Sequence, residues 1–426
     1  MLACKRNAGK LAAAVQPSPD LDAVAATPPA GNWSVLLVTL AIQALVSMAV
    51  LAVPAMGPAF AQAMGAPPAL LGAYIGVVYL GAMAASLAAA PLVLRFGALR
   101  TSQAALVLCA LGMALPALWP SLPAAAVGAF LTGLGYGPVT PASSHLLART
   151  TPPHRASLVF SIKQTGVPLG GVLAGVFVPG LALAGGAPSA LLTVAGAALA
   201  CALVAQPFRA ALDGDRDPGQ PLRMGSVTRG LRLVAAEPAL KRLALVSFVF
   251  SIAQMSFSTY LVTYLTASLG YTLVAAGVLL SAAQAGGVAG RIAWGWVADR
   301  WLGAYRMLAW LAGAMALCAA GTAVLQAGAP QALTVFLLMA FGASAIGWNG
   351  VYLAEVARCS PPGQASAATG GTLAVTFFGV VLGPMLFGVV SGAFDSYRAG
   401  FAALALPTAA CAWVLWRVAA RGRQPA

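Results

Sequence analysis

The chain has 426 residues, of which 60% are apolar and 8% charged, with a mean hydropathy of +0.88 and a formal net charge of +14. Such hydropathy excludes a soluble globular domain and makes the lipid bilayer the expected surroundings. The positive charge does not read as nucleic-acid binding, because Lys and Arg sit in short loops between apolar stretches rather than along one face.

Taken in chain order, residues 1–31 read as a disordered cytoplasmic tail, since the basic MLACKRNAGKLAAAVQ has too short an apolar run for a signal peptide and a Pro-rich stretch follows. No hydrophobic segment precedes Leu2-Ala3-Cys4, so it is not read as a lipidation site. Crossing a hydrocarbon core of about 30 Å takes about 20 apolar residues as a helix. Twelve stretches qualify: 33–56, 69–94, 102–119, 122–148, 157–183, 187–206, 242–268, 271–297, 306–326, 331–357, 367–393 and 400–419. They group as a six-helix half at 32–206, a linker at 207–241, a second six-helix half at 242–420 and a tail at 421–426. Within the linker, SVTRGLRLVAAEPALKR reads as an amphipathic helix on the membrane surface, or else as a solvated connector.

Lys and Arg are retained on the cytoplasmic side of short loops. Arg95, Arg100, Arg149, Arg155, the cluster from Arg209 to Arg242, Arg300, Arg306, Arg358 and both tails fall on one side of the twelve-span arrangement, and Arg398 on the other. Both termini are therefore expected in the cytoplasm. The six cysteines are scattered without a CxxC pair, so neither a disulfide framework nor a metal site is expected, and no cofactor.

The halves repeat. RTTPPHRAS, from Arg149 to Ser157, returns as RCSPPGQAS, from Arg358 to Ser366, at an offset of 209 residues. RFGALR, from Arg95, is matched by RWLGAYR, from Arg300, and GVPLGG, from Gly166, by GVVLGP, from Gly379. Three matches in the same order identify two copies of one six-helix unit.

Over residues 33–420 the chain resembles the major facilitator superfamily, as found in bacteria. GWVADRWLGAYR, after the eighth span, is similar to the family's G-x-x-x-D-R-x-G-R motif with one extra residue before Gly303, and Gly166, Pro168, Gly170 and Gly171 resemble a shifted Gly-Pro motif of antiporter members. The resemblance implies an all-α membrane protein of two pseudo-symmetric six-helix bundles. It also implies secondary transport of a small molecule by alternating access at a central site, in the bacterial inner membrane, as a monomer and with a proton as a possible coupling ion.

A charge inside the bilayer costs at least a few kcal/mol, so each one needs a reason. Glu355 lies one turn before Arg358, at the membrane level of Arg291, Asp299, Arg300 and Arg306. Together these read as a gate latch or a static ion cluster, with Glu355 alternatively the proton-coupling acid. By the repeat, Leu94 stands where Asp299 would be and Leu146 where Glu355 would be, so both acids are missing from the first half. Lys163, about 10 Å into the fifth span, either snorkels to the interface or, with Gln164, binds an anion in the cavity. The anion is favoured by composition, since no Asp or Glu occurs between Asp22 and Asp213. The helices that line the cavity in the family supply Gln43, Tyr136, Gln254, Tyr260, Trp348, Asn349 and Tyr352 near mid-depth as uncharged candidates for the substrate site. His145 reads as an interfacial hydrogen-bonding residue or a second proton carrier. The alternative reading is a proton-coupled exporter of apolar or amphiphilic compounds, and beyond it a non-transporting membrane receptor. An enzyme is not expected, because nucleophile, phosphate-loop and metal-ligand motifs are absent from the sequence.

Overall fold

A computed structural model describes residues 32–151, 156–219, 227–361 and 364–421. The expected N-terminal tail, most of the C-terminal tail and the middle of both repeated PP loops lie outside these residues. The described chain is almost wholly helical, because in a bilayer only a helix or a closed barrel satisfies every backbone N–H and C=O.

Eleven helical segments are long and apolar enough to span a membrane. One of them, Ile162–Leu212, is two passes: Gly185 leaves helical geometry and Gly186 takes φ +78°, a conformation open to glycine. The passes are thus α1 (Asn32–Ala55), α2 (Leu71–Phe96), α3 (Ala98–Leu118), α4 (Leu122–Thr150), α5 (156–184) and α6 (187–204). The second half supplies α7 (Pro238–Leu269), α8 (Leu273–Leu302), α9 (Ala304–Val324), α10 (Gln331–Cys359), α11 (Ala365–Ala393) and α12 (Tyr397–Arg421). An even number of passes returns both ends to one face, called here the terminal face.

The internal repeat is a repeat of packing. α1 packs on α5 as α7 does on α11, α2 on α4 as α8 on α10, and α3 on α6 as α9 on α12. Glycine makes these approaches close, as small residues do between helices in lipid. A Cβ at Gly170 would overlap Ala44 of α1, and one at its repeat equivalent Gly383 would meet the Ile252 backbone of α7 at 2.7 Å. The halves meet along two equivalent seams, α2 with α11 and α5 with α8. Large apolar side chains such as Phe177, Phe336, Trp310 and Trp413 are exposed on the outside, as a lipid-facing surface requires.

The seams are tight on the face away from the termini. There the Tyr260 hydroxyl of α7 donates to the Ala69 carbonyl at 2.6 Å and accepts from the Gly72 amide at 2.9 Å, joining the two halves. Tyr260 also stacks on Phe387 of α11, with ring centroids 4.6 Å apart. This corrects the expectation that Tyr260 lines a mid-depth site. Its depth along α7 is much as the twelve-span spacing implies, nine residues before the helix ends at Leu269; what differs is its direction, into the seam between the halves.

Candidate functional site

The chemistry concentrates where α5 and α10 break. α5 is interrupted at Thr165, between the segments Ala156–Gln164 and Gly166–Val204. Pro168 has no amide hydrogen, so the carbonyl four residues earlier, that of Gln164, loses its helical donor. Arg291 of α8 supplies one from the other half, with Nη1 donating to the Gln164 carbonyl at 2.7 Å. The Arg291 Nε donates to the Ile346 carbonyl at 3.2 Å, just before α10 breaks at Trp348. Asn349 Nδ2 reaches the same carbonyl at 3.4 Å. One guanidinium thus stitches two helix breaks from opposite halves.

Lys163 sits immediately before the α5 break. It is 1% exposed, and its Nζ has no hydrogen-bond partner. The charge that acts on it is that of Arg291, which carries the same sign. A buried ammonium beside a guanidinium, in a half whose helices contain no carboxylate, is an uncompensated positive site. Tyr136 of α4 is also within the electrostatic reach of Arg291, and its ring meets Tyr79 of α2 edge-on at 5.8 Å. Tyr79 crosses to the second half, lying 6.2 Å from the Phe377 ring and directing its hydroxyl at Met255 Sδ, 3.6 Å away. Sequence reasoning missed Tyr79, which on its own is an ordinary buried aromatic residue.

The remaining candidates divide by half. Gln43 is fully buried, accepts from Thr140 Oγ1 at 3.1 Å and donates to Ser47 at 3.4 Å. In the second half the Trp348 indole donates to Gln254 Oε1 at 3.0 Å and packs edge-on against Phe250 and Tyr352. The Tyr352 hydroxyl is also buried, beside the hydroxyls of Ser247, Thr372 and Thr376.

The expected charge cluster is not joined. Arg291 bonds carbonyls rather than Asp299, which lies eight residues farther along α8, or about 12 Å at 1.5 Å per residue. Asp299 and Arg300 are exposed and Arg306 is half-exposed. Glu355 is buried and pairs within its own helix, accepting from Arg358 Nη2 at 2.6 Å and Nε at 2.8 Å. In this conformation, then, no ion pair joins these five residues to one another, as an open latch requires. His145 is committed as well, with Nε2 2.6 Å from Asp215 Oδ2 in the linker.

Among the described residues no group of His, Cys, Asp and Glu is arranged to hold a metal ion. No curated protein sequence matches the chain. A bacterial homologue of the human lysosomal transporter Spinster, solved inward-facing and unoccupied, superposes with a TM-score of 0.70 at 15% identity, covering 92% of this chain and 98% of its own. The D-xylose-proton symporter gives 0.70 at 16% over 90% and 97%. The E. coli fucose:proton symporter gives 0.61 at 19% over 92% and 99%. At such identities the likeness is one of fold. The sequence profile of the Major Facilitator Superfamily matches residues 35–370, so the chain belongs to that superfamily, as a membrane transporter of the secondary type.

Proposed function

We propose that this transporter moves a small organic or inorganic anion, and that Lys163 is its principal binding group. The observation that carries this reading is the buried Lys163 ammonium without a partner among the described residues, next to Arg291 and in a half whose spans carry no carboxylate. An unpaired buried charge is costly, and a transient counter-ion supplied by the substrate removes that cost for part of the cycle. A cationic solute would meet two like charges at the same place. Tyr136 offers a hydroxyl beside the pair, and Gln43 lies on the neighbouring helix.

The test is uptake into proteoliposomes containing the purified protein, screened over small carboxylates, inorganic oxyanions, cations and lipophilic amphiphiles. Saturable uptake confined to anions is expected. Carriage of neutral or cationic compounds alone would replace this reading with export of apolar or amphiphilic solutes.

The loop charges support a cytoplasmic position for both termini and the linker; on that reading the sealed face is periplasmic and this conformation inward-facing. A cysteine substituted for the exposed Gly219, in a background lacking the native thiols, should react with an impermeant maleimide in inside-out vesicles and not in intact cells. Labelling of intact cells would reverse the orientation.

A further inference from the structure

The sequence left a gap: the first half lacks both terminal-face acids that the second half carries. The structure fills it from outside the helices. Asp215, in the linker, places Oδ1 2.5 Å from Arg149 Nη1 and Oδ2 2.6 Å from His145 Nε2, gripping the last turns of α4. Two residues earlier, Asp213 accepts from the Leu99 amide at 2.7 Å and the Arg100 amide at 2.9 Å, satisfying two free donors at the start of α3. Gly97, at φ +98°, turns the chain there so closely that a Cβ would run into the Asp213 carboxyl. The Asp217 amide then donates to the Leu94 carbonyl at 2.8 Å, closing off α2.

Arg149 and Arg358 are equivalent in the repeat, and each is held by a carboxylate. In the second half the acid is Glu355, one turn earlier on the same helix. In the first half that position is Leu146, buried, and the acid arrives from the linker. We propose that Asp215, with Asp213, is the first half's substitute for the missing repeat acids, and that it positions the terminal-face end of α4 against the α2–α3 turn so that the half moves as one body.

The linker is tied to the second half too. Its helix Val227–Ala236 packs on α11, with the Gly230 backbone so close to Gly371 that a Cβ there would collide with it. Asp215 itself is held below the usual carboxylate range. Burial alone would raise it, but the His145 hydrogen bond and the Arg149 charge more than reverse this, so the clamp stays ionised at neutral pH.

This role rests on membership of the superfamily and not on the anion, so the two fail separately. The measurement is double electron–electron resonance on purified full-length protein carrying spin labels at Ala148 and Gly219, which reads linker docking, and at Ala148 and Ala357, which reads the terminal-face gap. Asp215→Asn should broaden both distance distributions, and Asp215→Glu should keep both narrow. Leu146→Glu combined with Asp215→Asn should restore the gap distance without restoring docking, because the helix then carries its own acid as α10 does. Unchanged distributions in Asp215→Asn, or lost docking with an unchanged gap, would overturn the proposal. Should the double variant not fold, the contrast between Asn and Glu at Asp215 still decides it.

Discussion

Replacing Lys163 by Met should stabilise the empty protein while abolishing high-affinity binding. The ammonium is buried without an acceptor, and a buried donor left unsatisfied costs about 1–3 kcal/mol, so an apolar chain of similar length should raise the thermal midpoint. The same change removes the charge that meets the anion. A hydrogen bond to a charged group is worth about 1.5–3 kcal/mol, so affinity should fall roughly 10- to 150-fold. Lys163→Arg should rescue only in part, because a broad planar fork replaces a compact ammonium. Arg291→Met should behave oppositely in the stability assay. It leaves the Gln164 carbonyl without its donor across the seam and the Ile346 carbonyl with only Asn349 Nδ2 at 3.4 Å, and the midpoint should drop. Thermal unfolding and equilibrium binding of the transported anion, measured on the same preparations, separate the two residues. A Lys163→Met protein that is less stable than the parent, or that binds as tightly, sinks the assignment.

Much of this was legible in the chain. Apolar runs of spanning length, punctuated by Arg-bearing loops that recur at fixed offsets, read out the helix number and the two halves because in lipid the backbone has few alternatives. Lys163 stood out because a charge in an apolar run is costly wherever it points. The partners of Arg291 were not legible. They are carbonyls, present at every residue, and what frees the one on α5 is Pro168 four positions away. Nor was it legible which charges at one depth meet in this conformation, where Glu355 pairs with Arg358 one turn along its own helix and Asp299 stays exposed. Asp213 and Asp215 escaped notice because acids in a Pro- and Gly-rich linker look solvated, and their partners lie 113–114 and 70 residues away in sequence.

The seal on the face away from the termini leads to the second large effect. Gly72 begins α2 where a Cβ would overlap the Pro384 carbonyl of α11 and lie 2.7 Å from the Tyr260 hydroxyl, while one at Gly388 would lie 2.7 Å from the Ala69 carbonyl. These obstacles are mostly backbone, which cannot swing aside as a flexible side chain does. Gly72→Val should therefore act on the seam between the halves rather than within either bundle, and the half-to-half contact has to open to admit it. Overpacking of this kind costs about 1–3 kcal/mol, enough to change the balance of two conformers roughly 5- to 150-fold. Transport should collapse, because alternating access requires this face to close in every cycle. Tyr260→Phe removes the bridging hydroxyl but keeps the stacked ring on Phe387, so its effect should be smaller, about 1 kcal/mol for the lost hydrogen bond. Spin labels at Gln62 and Ala393 would measure the separation directly. The distance should lengthen clearly in Gly72→Val and slightly in Tyr260→Phe. A well-folded Gly72→Val protein with the parental distance and normal transport would show that these contacts do not hold the face shut.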